Sequence, residues 1–362
     1  MHPRTLAAAL LTVAALVAAP LAAQDSAATA TDSSAEKKPK VNKLFSTYEP
    51  IEFRLTADFK SMFRRRDTID VKRSPAVLSL LDDDGKPVDL PIEAAPRGHF
   101  RLMARNCSFP PIKLNVPKGG AKNTAFAGQG GLKLGTHCQK SDDYEQLVLR
   151  EHLAYTAHNL ITPMSFRTRL AKITYVEAKD TTEKTMRWGL LIEDEEDMAK
   201  RLGGKLLEQR QALFTDVDSL AMGMMAVFEY FLGNTDWSMY SLHNVRLVQT
   251  PEYIIYPIAY DFDHSGLVDA RYANPDPRLP IKTVRQRLHR GPCRTAEELK
   301  PIVAAFNAQR QAIDSIYANL PGLEAKYSKW ARGYIAEFYE TINDPKKLKR
   351  EIMDRCSEKP SA

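Results

Sequence analysis

Cysteine is scarce in this 362-residue chain, which has four: Cys107, Cys138, Cys293 and Cys356. None lies in a CxxC pair, and that absence argues against a structural zinc site, whose thiolates come in closely spaced pairs. No cysteine stands directly after the apolar N-terminal stretch, which argues against a lipid anchor. Beyond that stretch no long apolar run recurs, so nothing else reads as a membrane span. A basic stripe interleaved with aromatics is also missing. The 51 Lys and Arg exceed the 45 Asp and Glu by only 6, and they are dispersed, which excludes nucleic acid as the expected partner. There is no internal repeat. What is present, 44% hydrophobic residues, suits a globular core.

The N-terminus has the layout of an export signal over residues 1–23. Arg4 supplies the positive region, Leu6 to Ala18 the apolar region, and Leu21-Ala22-Ala23 a cleavage site before Gln24. The mature protein is then expected outside the cytoplasm, periplasmic or extracellular. Residues 24–45, rich in Ala, Ser and Thr and then Lys, read as a flexible tether. In an exported chain four cysteines suggest two disulfides, with three possible pairings. Ile112-Lys113-Leu114-Asn115-Val116 and Leu132-Lys133-Leu134 alternate with period two across a Gly-rich loop. Paired as an antiparallel hairpin with one apolar face, they set Lys113 opposite Lys133 and bring Cys107 near Cys138. Cys293 and Cys356 are left for the second bridge.

Along the chain, strand-like sequence comes first and helical sequence last, an α+β order. Strands are expected at Ile51 to Leu55, Ala76 to Leu80, Val88 to Ile92, the hairpin, Phe166 to Tyr175 and Met186 to Ile192. Helices are expected from Asp142 to about His158, then at Asp218 to Phe231, Ala296 to Tyr317 and Leu323 to Ile342. This divides the chain into a β-rich part, residues 46–192, and a helical part, residues 193–362.

Chemistry concentrates in FLGNTDWSMYSLHNVRLVQTPEYIIYPIAYDFDHSGLVDA, residues 231–270. Asp236 is followed eight positions later by Asn244, and a strand-turn-strand passage then delivers Asp261 and Asp263. Phosphoryl transfer needs one carboxylate to orient the acceptor hydroxyl, then an amide oxygen and further carboxylate to hold a divalent cation on the phosphates. On the helix after Asp142, Glu151 falls on the apolar stripe, where a buried carboxylate requires a cation. Lys133 is the candidate partner, with Arg167 or Arg169 as the alternative. The Gly-rich loop 118–130 could cradle phosphates through its N–H groups or simply be a hairpin loop. His243 and His264 read as local hydrogen-bonding groups rather than metal ligands. Arg97, Arg101 and Arg105, spaced by four, read as a solvated face with no assigned chemistry.

From about residue 95 to 270 the chain resembles the spore-coat-protein-H (CotH) type of atypical secreted protein kinases. The likeness rests on Arg97-Gly98, on Pro110-Pro111-Ile112-Lys113-Leu114, on WGLLIEDEEDMAKR, on GNTDW with a following HN, and on YDFD followed by Gly. Trp237 and the LHN wording depart from the family's more usual context, and the cysteines of 131–138 and 287–293 are atypical, so the resemblance is to a divergent branch. It implies a two-lobed protein-kinase-like fold with a β-rich N-terminal lobe and a helical C-terminal lobe. It also implies an ATP-dependent kinase using Mg2+ or Mn2+ and acting on a protein substrate. Asp236 would then be catalytic. Lys133, Glu151, Lys113 and Glu193 would hold the nucleotide, with Glu193 at the interlobe hinge, and Asn244, Asp261 and Asp263 the metal. A catalytically silent envelope-binding protein is the main alternative. A metal-dependent phosphoesterase using Asp236, His243, Asp261 and His264 is the third.

Overall fold

Period-two alternation sorts the first part of the chain into an inside and an outside. On β4 (Ile112–Asn115) and β5 (Gly131–Gly135), Ile112, Leu114, Leu132 and Leu134 are fully buried, whereas Lys113 faces solvent. The computed structural model describes residues 42–360 apart from 65, 67–70, 118 and 210. The export signal read from the sequence and nearly all of the tether lie outside the described residues. The end of that tether reading does not hold as loose chain. Lys43–Phe45 form a single 3-10 turn that buries Leu44 and Phe45.

Five more strands join this hairpin: β1 (Ile51–Ala57), β2 (Ser74–Leu81), β3 (Pro87–Pro96), β6 (Thr168–Glu177) and β7 (Asp180–Ile192). In the order β1-β2-β3-β4-β5-β7-β6 they close into a barrel. This corrects the expectation of a two-lobed protein-kinase-like fold, because the β-rich part is not an open N-lobe sheet. Closure comes from β1, which pairs antiparallel with β2 and parallel with β6 from Ile51↔Ala171 through Ala57↔Glu177. Alternation shows which residues face a core, but not whether the first strand and one more than 100 residues later share an edge. The barrel interior is filled by side chains, among them Phe53, Leu55, Leu78, Leu114, Leu134 and Ile173.

The hairpin register is the expected one, with Lys113 directly opposite Lys133. Cys107 and Cys138 are bridged at its open end, and Cys293 is bridged to Cys356. Two disulfides are chemistry that an oxidising compartment permits. Among the described residues no helix is long and apolar enough to cross a membrane.

A second core is built from helices. Between β5 and β6 runs α2 (Asp142–Ile161), preceded by the four-residue α1 (Phe59–Met62) after β1. Three acidic residues in the first turn of α2 complement its N-terminal dipole. Leu149, Leu153 and Tyr155 of α2 pack with residues of α4 (Ser219–Leu232), α5 (Ala296–Asn319) and α6 (Ala325–Asn343), including Phe228, Phe231, Phe306 and Phe338. A short α3 (Glu195–Arg201) and a three-stranded sheet, in the order β10-β9-β8, complete this part. Its strands are β8 (Lys205–Leu207), β9 (Val245–Gln249) and β10 (Ile255–Ala259).

Candidate functional site

Two loops are pressed together by two glycines. Asp218 caps α4 by accepting from the Ala221 N–H, and Gly233, at φ +67°, ends the helix in the left-handed region that a Cβ would disfavour. The Gly266 N–H donates to the Gly233 carbonyl, at 3.1 Å. A Cβ on Gly266 would lie 2.2 Å from the Val284 carbonyl oxygen, so only glycine fits at this contact. The loop after α4 therefore delivers Asn234 to Asp236 beside the YDFDHSG loop after β10.

The β9–β10 hairpin sets the remaining spacing. Tyr260 donates its N–H to the Asn244 carbonyl at 3.0 Å, continuing the pairing of Ala259 with Val245, so Asn244 and Asp261 emerge from one end of the ladder. Both have positive φ, +54° and +62°, a conformation that Asn and Asp tolerate better than other side chains. The Asp261 N–H is held by the Tyr155 hydroxyl of α2 at 2.8 Å.

These loops, the outer face of β5 and the segment after β3 enclose a cleft of about 500 Å³. Of the residues expected to act together, Lys133, Asp236, Asn244, Asp261 and Asp263 line it. Asp236 receives His243 Nε2 on Oδ1 at 3.0 Å and Asn244 Nδ2 on Oδ2 at 3.2 Å. Burial opposes its ionisation, but the His243 hydrogen bond and charge win and hold its pKa below the usual value. The same contact raises the pKa of His243. Asn244 Nδ2 is thus used by the Asp236 side chain and carbonyl, which leaves Oδ1 facing no donor among the described residues.

Arg101 is the residue that sequence reasoning missed. Far from lying on a solvated face, its guanidinium stands 3.5 Å from Asp261 Oδ1, 3.5 Å from Asp263 Oδ2 and 3.9 Å from Glu151 Oε2. It therefore takes the place expected of Lys133 or of Arg167 and Arg169 as the partner of Glu151. Burial, reinforced by Asp263 and Asp261 and opposed by Arg101, pushes the Glu151 carboxyl well above the usual range. Asp263 also accepts from the Tyr272 hydroxyl at 2.9 Å. Lys133 pairs instead with Glu195, the first residue of α3, whose other oxygen takes Arg246 Nε at 2.8 Å. Glu195 is partly desolvated, yet Arg246 and Lys133 hold its pKa at about 2. Arg97 completes a cationic lining of Arg97, Arg101, Lys133 and Arg246.

Three expected nucleotide residues are absent from this lining: Glu193, Lys113 and Glu151, the last of which is buried against Arg101. Glu193 is buried, bonded to Arg201 at 2.8 Å through both oxygens and to the Arg167 N–H at 3.0 Å, a structural knot between α3 and β6. Lys113 faces solvent from β4. The chain leaves the strand at Ile192 and turns into α3, so strand alternation does not decide which of Glu193 and Glu195 faces the cleft. For Arg101 a signal existed in its place three residues after the Arg-Gly pair, but its three carboxylate partners come from α2 and the YDFDHSG loop.

Glu229 lies beneath the cleft, fully buried on α4, with Asn234 Nδ2 donating to it at 2.9 Å. Burial raises its pKa from 4.5 to about 8. Because the unfolded chain releases this proton near pH 4.5 and the folded chain holds it, stability falls as pH rises from about 4.5 to about 8. Glu229→Gln is expected to remove this dependence. In thermal melts from pH 5 to 9 the variant gains on the parent as pH rises, and parallel curves would contradict the assignment.

Among the described residues no group of three or more His, Cys, Asp and Glu side chains is arranged to hold a metal. A magnesium site needs less protein, since the ion keeps waters and is held by one or two carboxylates plus substrate phosphates. No protein-family model matches this chain, and no curated protein matches it at a significant level.

Proposed function

We propose that the cleft binds a nucleoside triphosphate with Mg2+ or Mn2+ and transfers its terminal phosphoryl group to a protein hydroxyl, outside the cytoplasm. The observation that carries this is convergence. Lys133, Asp236, Asn244 and the Asp261–Asp263 pair, from well-separated segments, meet around one cleft that also holds three arginines. The resemblance to CotH-type kinases points the same way in chemistry, though not in fold.

The donor set fits the group. Asp261 and the free Asn244 Oδ1 are hard oxygen donors of the kind magnesium takes. When bound, the ion neutralises phosphate charge. Arg97, Lys133 and Arg246 would hold phosphate oxygens, the arginines by two-pronged hydrogen bonds. Asp236, kept ionised by His243, accepts a hydrogen bond from the acceptor hydroxyl and takes its proton as the new oxygen–phosphorus bond forms and the bond to the nucleoside diphosphate leaving group breaks. Arg101 already neutralises Asp261 and Asp263, so cation and arginine compete for the same oxygens.

That competition also favours a second reading, a catalytically silent binding protein whose cleft charges are internally matched. Incubating the oxidised protein with radiolabelled ATP and Mg2+ or Mn2+ separates the two. Label on protein supports transfer, whereas a folded protein that neither binds nucleotide nor turns it over supports the silent reading and overturns the first.

A further inference from the structure

The four cations that line the cleft are not equally committed. Lys133 and Arg246 are both bonded to Glu195, and Arg101 is held among Asp261, Asp263 and Glu151. Among the described residues Arg97 alone of the four has neither an ion pair nor a side-chain hydrogen bond, and none of its guanidinium nitrogens is shut off from solvent. It follows directly on β3, half-buried, and its backbone N–H donates to the Pro111 carbonyl at 2.8 Å, so the residue is anchored. A guanidinium held in place, open to a cleft and unused by the protein is equipped to grip an anion through two parallel hydrogen bonds.

The rest of the lining offers little that reads a nucleobase. A base is selected by an apolar slot with fixed donors and acceptors along its edge. The apolar side chains of the lining are Phe100, Pro111, Leu242 and Tyr260. Over the Tyr260 ring lie Arg246 at 4.5 Å and Lys133 at 5.3 Å. Phe100 is 41% exposed, with its ring edge-on to His264. Stacking on it would accept any base, since every base has a π-face. Asn244 is the one amide side chain in the lining, and its Nδ2 is spent on Asp236.

We propose, resting on the phosphoryl-transfer reading, that the cleft recognises its donor by the triphosphate chain and not by the base. Any nucleoside triphosphate, or inorganic tripolyphosphate, then serves as donor. Arg97 holds the chain, the acceptor hydroxyl oxygen bonds to the terminal phosphorus, and its proton passes to Asp236. The bridging oxygen–phosphorus bond breaks and releases the nucleoside diphosphate or, from tripolyphosphate, pyrophosphate.

Calorimetric titration of the oxidised full chain in Mg2+ with ATP, GTP, CTP, tripolyphosphate and adenosine tests this. The four triphosphates are expected to bind within about threefold of one another, and adenosine not to bind. Each triphosphate should also suppress transfer of radiolabel from ATP. Arg97→Met, which breaks no side-chain hydrogen bond within the protein, should raise the Kd of ATP and of tripolyphosphate by the same factor, about ten- to a hundredfold. ATP bound more than about tenfold tighter than the other triphosphates, saturable binding of adenosine, or an Arg97→Met variant that weakens ATP and tripolyphosphate unequally or not at all would overturn this inference and leave the transfer reading standing. Failure of all five compounds to bind would overturn the transfer reading with it.

Discussion

Asp236→Ala is expected to lower phosphoryl transfer to protein by about 10²–10⁴-fold, the range associated with losing a positioned acid–base group. Nucleotide affinity should hardly change. Asp236 contacts His243, Asn244 and Asn234, and it makes no ion pair with the cleft's arginines or with Lys133. Its removal therefore leaves the cationic lining in place and reduces the chemical step alone, a loss in kcat without a matching rise in nucleotide Kd. Asp236→Asn keeps the size and removes the charge, so it should be nearly as inactive. Full transfer activity in either variant would remove Asp236 from the mechanism.

The largest expected effect on stability is remote from the cleft. Glu193 and Arg201 are buried together, and Arg201 also donates to the Ser165 and Pro163 carbonyls. Arg201→Met leaves a buried carboxylate with only the Arg167 N–H, a change that costs about 3–5 kcal/mol in comparable pairs. Removing the carboxylate as well, in Glu193→Met with Arg201→Met, should restore part of that loss, because the uncompensated charge is gone while the Arg167 N–H stays unpaired. Chemical denaturation of the single and double variants reads the difference. A single variant as stable as the parent would contradict it. Glu193→Gln with weakened nucleotide binding but an unchanged melt would restore the hinge role that the resemblance implied.

Much of the local structure was legible in the sequence, and its long-range assembly was not. Alternation in IKLN and GLKLG fixed an inside and an outside, hence the register of Lys113 with Lys133 and the bridge from Cys107 to Cys138. The same alternation could not show that β1 also lies beside β6, because barrel closure is a parallel contact with no turn to announce it. In the cleft, the order Asp236, Asn244, Asp261 was visible because short loops and one hairpin connect them. Partner choice was not, since the nearest cation to Glu151 depends on where the loop after β3 folds back. Arg101 supplies it across 50 residues, and Glu195 rather than Glu151 takes Lys133. A spacing of four along Arg97, Arg101 and Arg105 suggested a solvated face, yet the segment is a run of turns that brings Arg101 against three carboxylates.

Titrating ATP into the oxidised protein, with and without Mg2+, and repeating this with Asp261→Asn, tests the cleft's assignment most directly. Saturable binding that strengthens with the ion in the parent, and loses that ion dependence in a variant with an unchanged melting temperature, is the predicted result. Equal ATP affinity with and without Mg2+ in both proteins, or no binding in either, would contradict it.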